Sequence, residues 1–134
     1  MPRQSPSAKG FSRGRPFFEK RVKEVVAALP PGIRDRLDNV AFIIEDDSSA
    51  IPQEWEDGQH EWLGLYHGIS QKDRGFWYGN ALPDRIIIYQ KPLERISSSL
   101  QELEENIRQT VIHEIGHHFG FDEAERRNLE EGEI

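Results

Sequence analysis

The chain has 134 residues, a formal net charge of −7 and no cysteine. This length suits one domain with a hydrophobic core, and the lack of cysteine excludes disulfides, thiolate metal sites and a cysteine nucleophile. An acidic protein repels nucleic acid, and no apolar run is long enough to span a membrane or form a signal peptide. We therefore predict a cytoplasmic protein that has no membrane partner and for which nucleic acid is a disfavoured partner.

The first sixteen residues differ in composition from the rest of the chain. They contain four basic residues and no acid, which leaves 13 basic against 24 acidic residues in the remainder. They are also rich in Pro, Ser and Gly, so they cannot bury enough surface to offset their ordering entropy. We predict a disordered basic tail over residues 1–16 and a single domain over residues 17–134.

One helix and three strands are predicted in the first two thirds of the domain. Residues 17–29 carry apolar side chains at helical spacing and precede two prolines, which end a helix. The predicted core residues of this helix are Phe18, Val22, Val25, Val26 and Leu29. Short runs rich in β-branched and aromatic residues predict strands at 39–46, 61–69 and 85–92.

The longest predicted helix covers residues 99–119. Ser99 with Glu102, or Ser98 with Gln101, forms a capping box at its start, and Gly120 supplies its end. One stripe at 3.6-residue periodicity is expected to face the core. Its members are Leu100, Leu103, Ile107 and Val111.

The end of this helix has the sequence HEIGHHFGFDE, at residues 113–123, with three of the five histidines of the chain. His113 and His117 are one helical turn apart, so both imidazoles can reach one metal ion. Glu114 lies about 100° around the helix axis, where its carboxylate reaches a water molecule on the metal more readily than the metal itself. The pattern H-E-x-x-H therefore predicts two metal ligands and a general base.

A third ligand is expected after Gly120, where a left-handed residue can turn the chain back towards the metal. Glu123, ten positions after His113, matches the metzincin spacing with a carboxylate in place of the third histidine. Asp122 is the close alternative. Imidazole and carboxylate ligands favour one Zn²⁺ per chain, although Fe²⁺, Co²⁺ or Ni²⁺ fits the same ligand set.

Other polar and aromatic residues receive weaker interpretations. His118 falls on the core-facing stripe, which favours a buried histidine bound to a carbonyl or carboxylate over a role beside the metal ligands. His60 and His67 have no matched partner and are predicted to be structural or solvent-facing. Tyr78 can stabilise an oxyanion, but a packed aromatic is the favoured interpretation.

The motif HEIGHHFGFDE, together with LGLYHGI at 63–69 and YGNALPDRIIIYQKPLE at 78–94, resembles minimal zincin-like metallopeptidases, which are compact one-domain bacterial proteins. The resemblance covers residues 17–130. It implies an α+β fold in which a small mixed sheet packs on the active-site helix, with His113 and His117 as metal ligands and Glu114 as catalytic acid and base. The usual third ligand is an aspartate where this chain has Glu123, and the methionine turn of metzincins is missing.

Three functional hypotheses follow. The first is a zinc-dependent peptidase that hydrolyses peptides or flexible protein segments with a metal-activated water and Glu114 as general base. The second is a metal-containing peptide- or protein-binding module that lacks proteolytic activity. The third, and weakest, is that the basic tail delivers the domain to nucleic acid or ribosomes.

Overall fold

A computed structural model of the chain describes residues 13–47, 62–68 and 84–131. The helices in these ranges are α1 (Arg15–Ala27), α2 (Pro31–Arg34), α3 (Gln90–Arg95), α4 (Leu100–Phe119) and α5 (Glu123–Glu130). The strands are β1 (Val40–Glu45), β2 (Gly64–His67) and β3 (Asp84–Tyr89). None of the described helices is both long and apolar enough to cross a membrane.

The three strands form one mixed sheet in the order β1-β3-β2. β1 runs parallel to β3, with Phe42 opposite Ile86, and β2 runs antiparallel to β3, with Tyr66 opposite Ile86. The long helix α4 packs against β2 and β3, while α1 packs against α4 and β1. The predicted α+β fold, a small mixed sheet on a long helix, is confirmed.

The hydrophobic core lies between the sheet and helices α1 and α4. All three predicted strands form, because their apolar residues fill this space. Val26 of the predicted first helix is half-buried, whereas its other predicted core residues are buried. The fully enclosed core residues are Phe18, Ile86, Ile88, Leu93, Leu103, Ile107, Val111 and Ile115.

Helix α4 begins and ends as its caps predict. The side chain of Ser99 accepts a hydrogen bond from the N–H of Glu102, and Gly120 closes the helix in the left-handed conformation at φ 75°. The predicted core stripe is wrong at its first position, since Leu100 is 37% exposed. Leu100 is the first residue of α4.

Three further details correct the predicted elements. Helix α1 begins at Arg15, two residues inside the predicted tail, because Pro16 suits a first helical turn and Arg15 donates to the carbonyl of Ile44 (2.6 Å). β3 ends at Tyr89, and the predicted strand residues 90–92 begin α3. Helices α2, α3 and α5 were not predicted. Residues 1–12 and 132–134 lie outside the described residues, so the tail and the domain limits stay predictions.

Candidate metal centre

His113 and His117 project from the last two turns of α4 towards one point. Their Nε2 atoms are 3.1 Å apart. Two imidazole ligands on a tetrahedral zinc ion stand about 3.3 Å apart, given Zn–N bonds of about 2.05 Å. The helical spacing of four residues therefore gives the separation that a shared metal requires.

Glu114 completes this cluster. Among the residues that the structure describes, the ligand atoms of His113, Glu114 and His117 form a group in which all lie within 4.8 Å of one another. The group lines a cavity of about 720 Å³. Its other walls are Trp62, Leu63, Gly64, Leu65, Tyr66, Ile96, Asn106, Gln109, Thr110 and Glu130.

The electrostatics of the cavity favour the neutral form of both imidazoles. Burial lowers the pKa of His113, and the positive charge of Arg126 lowers it further, while Glu130 opposes the shift. Burial likewise lowers the pKa of His117, with contributions from His113 and Arg126. Neutral imidazole is the form that binds a metal, so little proton release is needed on binding.

Glu114 lines the cavity and is buried, since only 8% of the residue is exposed. Burial raises the pKa of Glu114 to about 7, while the backbone N–H of Tyr66 and the charge of Arg126 act in the opposite direction. A carboxyl group that titrates near neutral pH can both take and return a proton. This environment suits an acid–base residue better than a surface glutamate.

Strand β2 runs along the wall of this cavity. The carbonyl of Leu63 accepts from the N–H of Tyr89, so Gly64 and Tyr66 direct their backbone groups to the other edge of β2, away from β3. The N–H of Tyr66 donates from that edge to Glu114. A Cβ at Gly64 would stand 2.7 Å from Cγ2 of Thr110, so glycine allows β2 to approach α4 closely.

Helix α5 contributes two charged residues that the sequence analysis missed. Arg126 and Glu130 are four residues apart and both act electrostatically on His113. A Cβ at Gly116 would stand 2.5 Å from Cγ of Arg126, and the carbonyl of Glu130 accepts from Nη2 of Arg108 (2.5 Å). These contacts hold α5 against α4. The helical spacing of the two charges was visible in the sequence, but the packing of α5 was not.

The two candidate third ligands lie at the start of α5. Asp122 is the N-cap, and its Oδ1 accepts from the N–H of Glu125 (2.8 Å) in a capping box. Glu123 is the first residue of the helix and is exposed. Within the described residues, neither belongs to the group formed by His113, Glu114 and His117. The third ligand therefore stays a prediction.

The remaining singled-out residues lie in different settings. His118 is 1% exposed, and its Nδ1 lies 2.8 Å from Oδ2 of Asp84. His67 is exposed, and its Nδ1 accepts from Nη2 of Arg85 on the neighbouring strand (2.8 Å). His60 and Tyr78 lie outside the described residues.

The sequence model of the zincin-like metallopeptidases matches residues 37–133 of the chain. The chain belongs to the zincin-like metallopeptidase family. This match covers β1, β2 and β3, all of α4 and the whole cluster of His113, Glu114 and His117. No curated protein matches the chain.

Membership of the zincin-like metallopeptidase family implies zinc, and the donor set agrees with it. Two imidazoles with Nε2 atoms 3.1 Å apart and a neighbouring carboxylate form a site that can hold a metal ion. The resemblance predicted from the sequence is thus confirmed for the family, and the H-E-x-x-H motif forms a compact cluster.

Proposed function

We propose that this protein is a zinc-dependent peptidase of the cytoplasm that hydrolyses peptide bonds in peptides or flexible protein segments. The observation that carries the proposal is the pair of Nε2 atoms 3.1 Å apart beside the buried carboxyl group of Glu114. His113 and His117 would hold one zinc ion per chain. When bound there, zinc supplies Lewis acidity, which polarises a carbonyl oxygen and lowers the pKa of a coordinated water.

The role of Glu114 in this proposal is proton transfer. Its carboxylate accepts a proton from the attacking water and returns it to the leaving amine. The N–H of Tyr66 holds the carboxylate in place, and a pKa of about 7 makes both transfers feasible near neutral pH. Because the carboxyl group lies inside the cavity, the transfers take place out of bulk water.

The position of β2 among the described strands supports an extended substrate, since β2 is the outer strand of the sheet that they form. β2 has β3 on one side, and its other edge faces the cavity that holds Glu114. The backbone groups of an edge strand can bind an extended peptide as an additional strand. A folded protein domain cannot present its backbone in this way, which favours peptides and flexible segments as substrates.

The alternative function is peptide or protein binding without hydrolysis. It is favoured by one observation, namely that the described cluster contains two histidines and Glu114 but neither Asp122 nor Glu123. A metal held by two histidines alone would bind weakly. The same groove along β2 would then capture a peptide without cleaving it.

Hydrolysis of a diverse peptide library by the zinc-loaded protein tests the two functions. We expect cleavage that is removed by a chelator and restored by zinc, because the proposed chemistry requires the metal. Mass spectrometry of the products is the measurement, and the Glu131→Gln variant is the control, since Glu131 is an exposed residue outside the cavity. Peptide binding without cleavage would favour the alternative.

The third ligand can be identified by comparing Glu123→Gln with Asp122→Ala. We expect Glu123→Gln to weaken zinc binding at least tenfold without loss of stability, because Glu123 is exposed and makes no cap. Asp122→Ala should instead cost about 1 kcal/mol of stability through loss of the helix cap. Zinc titration and thermal unfolding are the measurements. Unchanged zinc affinity in Glu123→Gln would exclude Glu123 as a ligand.

A further inference from the structure

A buried carboxylate connects three elements of the fold behind the metal centre. Asp84, the first residue of β3, is 1% exposed. The hydroxyl of Tyr66 on β2 donates to its Oδ2 (2.6 Å), and Nδ1 of His118 on α4 lies 2.8 Å from the same oxygen. An ionised Asp84 accepts both hydrogen bonds when the hydrogen of His118 is on Nδ1.

This network of Tyr66, Asp84 and His118 is costly to bury. Removing a carboxylate from water is unfavourable unless its partners replace the lost hydration, and apolar residues of similar size would stabilise the core at least as well. A network of this kind is better explained by the arrangement that it enforces. The rings of Tyr66 and His118 also meet edge to face, at a centroid distance of 5.8 Å.

Glycines allow the close approach that this network needs. A Cβ at Gly68 would stand 2.5 Å from the carboxylate carbon of Asp84. At the other end of β2, a Cβ at Gly64 would stand 2.7 Å from Cγ2 of Thr110 and 3.4 Å from Cγ of Glu114. The segment from Gly64 to Gly68 is therefore held tightly against both Asp84 and α4.

Tyr66 connects the network to the candidate base. Its side chain binds Asp84, while its backbone N–H donates to the carboxylate of Glu114. Glu114 and His118 are four residues apart on the same helix. The hydrogen bonds thus form a closed path from α4 through β2 and β3 back to α4, and a shift of β2 would move the N–H that holds Glu114.

We infer that Asp84 is a positioning residue, which fixes β2 against α4 through Tyr66 and His118 and thereby orients the carboxylate of Glu114 towards the cavity. This inference rests on the proposed function for its catalytic consequence. The orientation of Glu114 itself is a structural property and can be measured without any substrate.

Tyr66→Phe is the most informative variant, because it removes the hydroxyl that binds Asp84 and keeps both the ring and the backbone N–H. Asp84→Asn is the second variant. His67→Gln is the matched control, because it removes the exposed neighbouring contact between β2 and Arg85 of β3. Each variant is compared with wild type as full-length, zinc-loaded protein for kinetics and in the metal-free form for amide exchange.

The kinetic measurement determines kcat and KM separately for each variant. We expect the Tyr66→Phe variant to retain its zinc and to keep its KM within about twofold of the wild-type value. Its kcat should fall by about 10- to 100-fold, because the substitution displaces the backbone N–H that holds the carboxylate of Glu114. A lower melting temperature with unchanged kcat per folded molecule would show that the network only stabilises the core, and would overturn the inference.

Amide exchange at Tyr66 gives a readout that is independent of hydrolysis. In wild type, this amide is protected by Glu114, and the protection should be lost in Tyr66→Phe and retained in His67→Gln. The amide of Leu65, which pairs with Ile87 of β3, should stay protected in all variants. If wild type cleaves no peptide, the proposed function fails while this measurement still decides the inference. Full protection of the same backbone amide in the Tyr66→Phe variant would overturn it.

Discussion

Glu114→Gln is expected to abolish hydrolysis and, at the same time, to make the metal-free protein more stable at pH 8. The substitution removes the proton acceptor but leaves the histidines that would bind zinc, so activity should fall by at least about a thousandfold with zinc binding intact. Stability should rise by about 3 kcal/mol, since raising the pKa from 4.5 to about 7 reflects the cost of the buried charge.

The pH dependence of this gain distinguishes it from an unspecific effect. Between pH 4.5 and about pH 7 the folded protein keeps the proton of Glu114 while the unfolded chain has released it, so stability falls as pH rises. His113 and His117 have the opposite effect on the pH dependence of stability. Because their pKa values are lowered in the folded protein, the folded state loses stability as the pH falls through 6.5. This second effect is present in both proteins and cancels in the comparison.

Chemical denaturation in the presence of a chelator, at pH 5 and at pH 8, measures the gain. We expect a difference between variant and wild type of under about 1 kcal/mol at pH 5 and about 3 kcal/mol at pH 8. Glu131→Gln is the matched control and should change stability at neither pH, because Glu131 is exposed. An equal difference at both pH values would show that burial does not raise the pKa of Glu114.

His117→Ala is expected to remove the metal. Wild type should contain about one zinc per chain, and the variant should contain almost none, because a single histidine and one neighbouring carboxylate do not form a zinc site. Zinc at a hundred times its dissociation constant should stabilise wild type by about 2.7 kcal/mol. This stabilisation should be absent from the variant.

Elemental analysis and zinc-dependent thermal unfolding are the measurements for this prediction. His67→Ala is the matched control, since it removes an exposed histidine that binds Arg85 rather than the candidate site. It should keep the full zinc content. Equal zinc content in His117→Ala and wild type would place the metal elsewhere and contradict the proposed function.

The sequence alone determined the elements whose signals are local. His113 and His117 are four residues apart, and helix geometry places side chains at this spacing on the same side of a helix. The sequence therefore predicted that both imidazoles point in the same direction. The caps at Ser99 and Gly120 set the limits of α4 within one residue, because both depend on backbone groups nearby in the chain. Apolar runs likewise predicted the three strands.

Only the tertiary structure decided which distant residues meet at the site. Asp84 and His118 are 34 residues apart, and nothing local predicts that Tyr66 joins them. Helix α5 has a polar sequence with one buried leucine. Because it lacks an apolar stripe, the sequence did not predict that this helix packs over Gly116 of α4. Such contacts depend on how the elements pack, whereas helix phase and capping depend on neighbours in sequence.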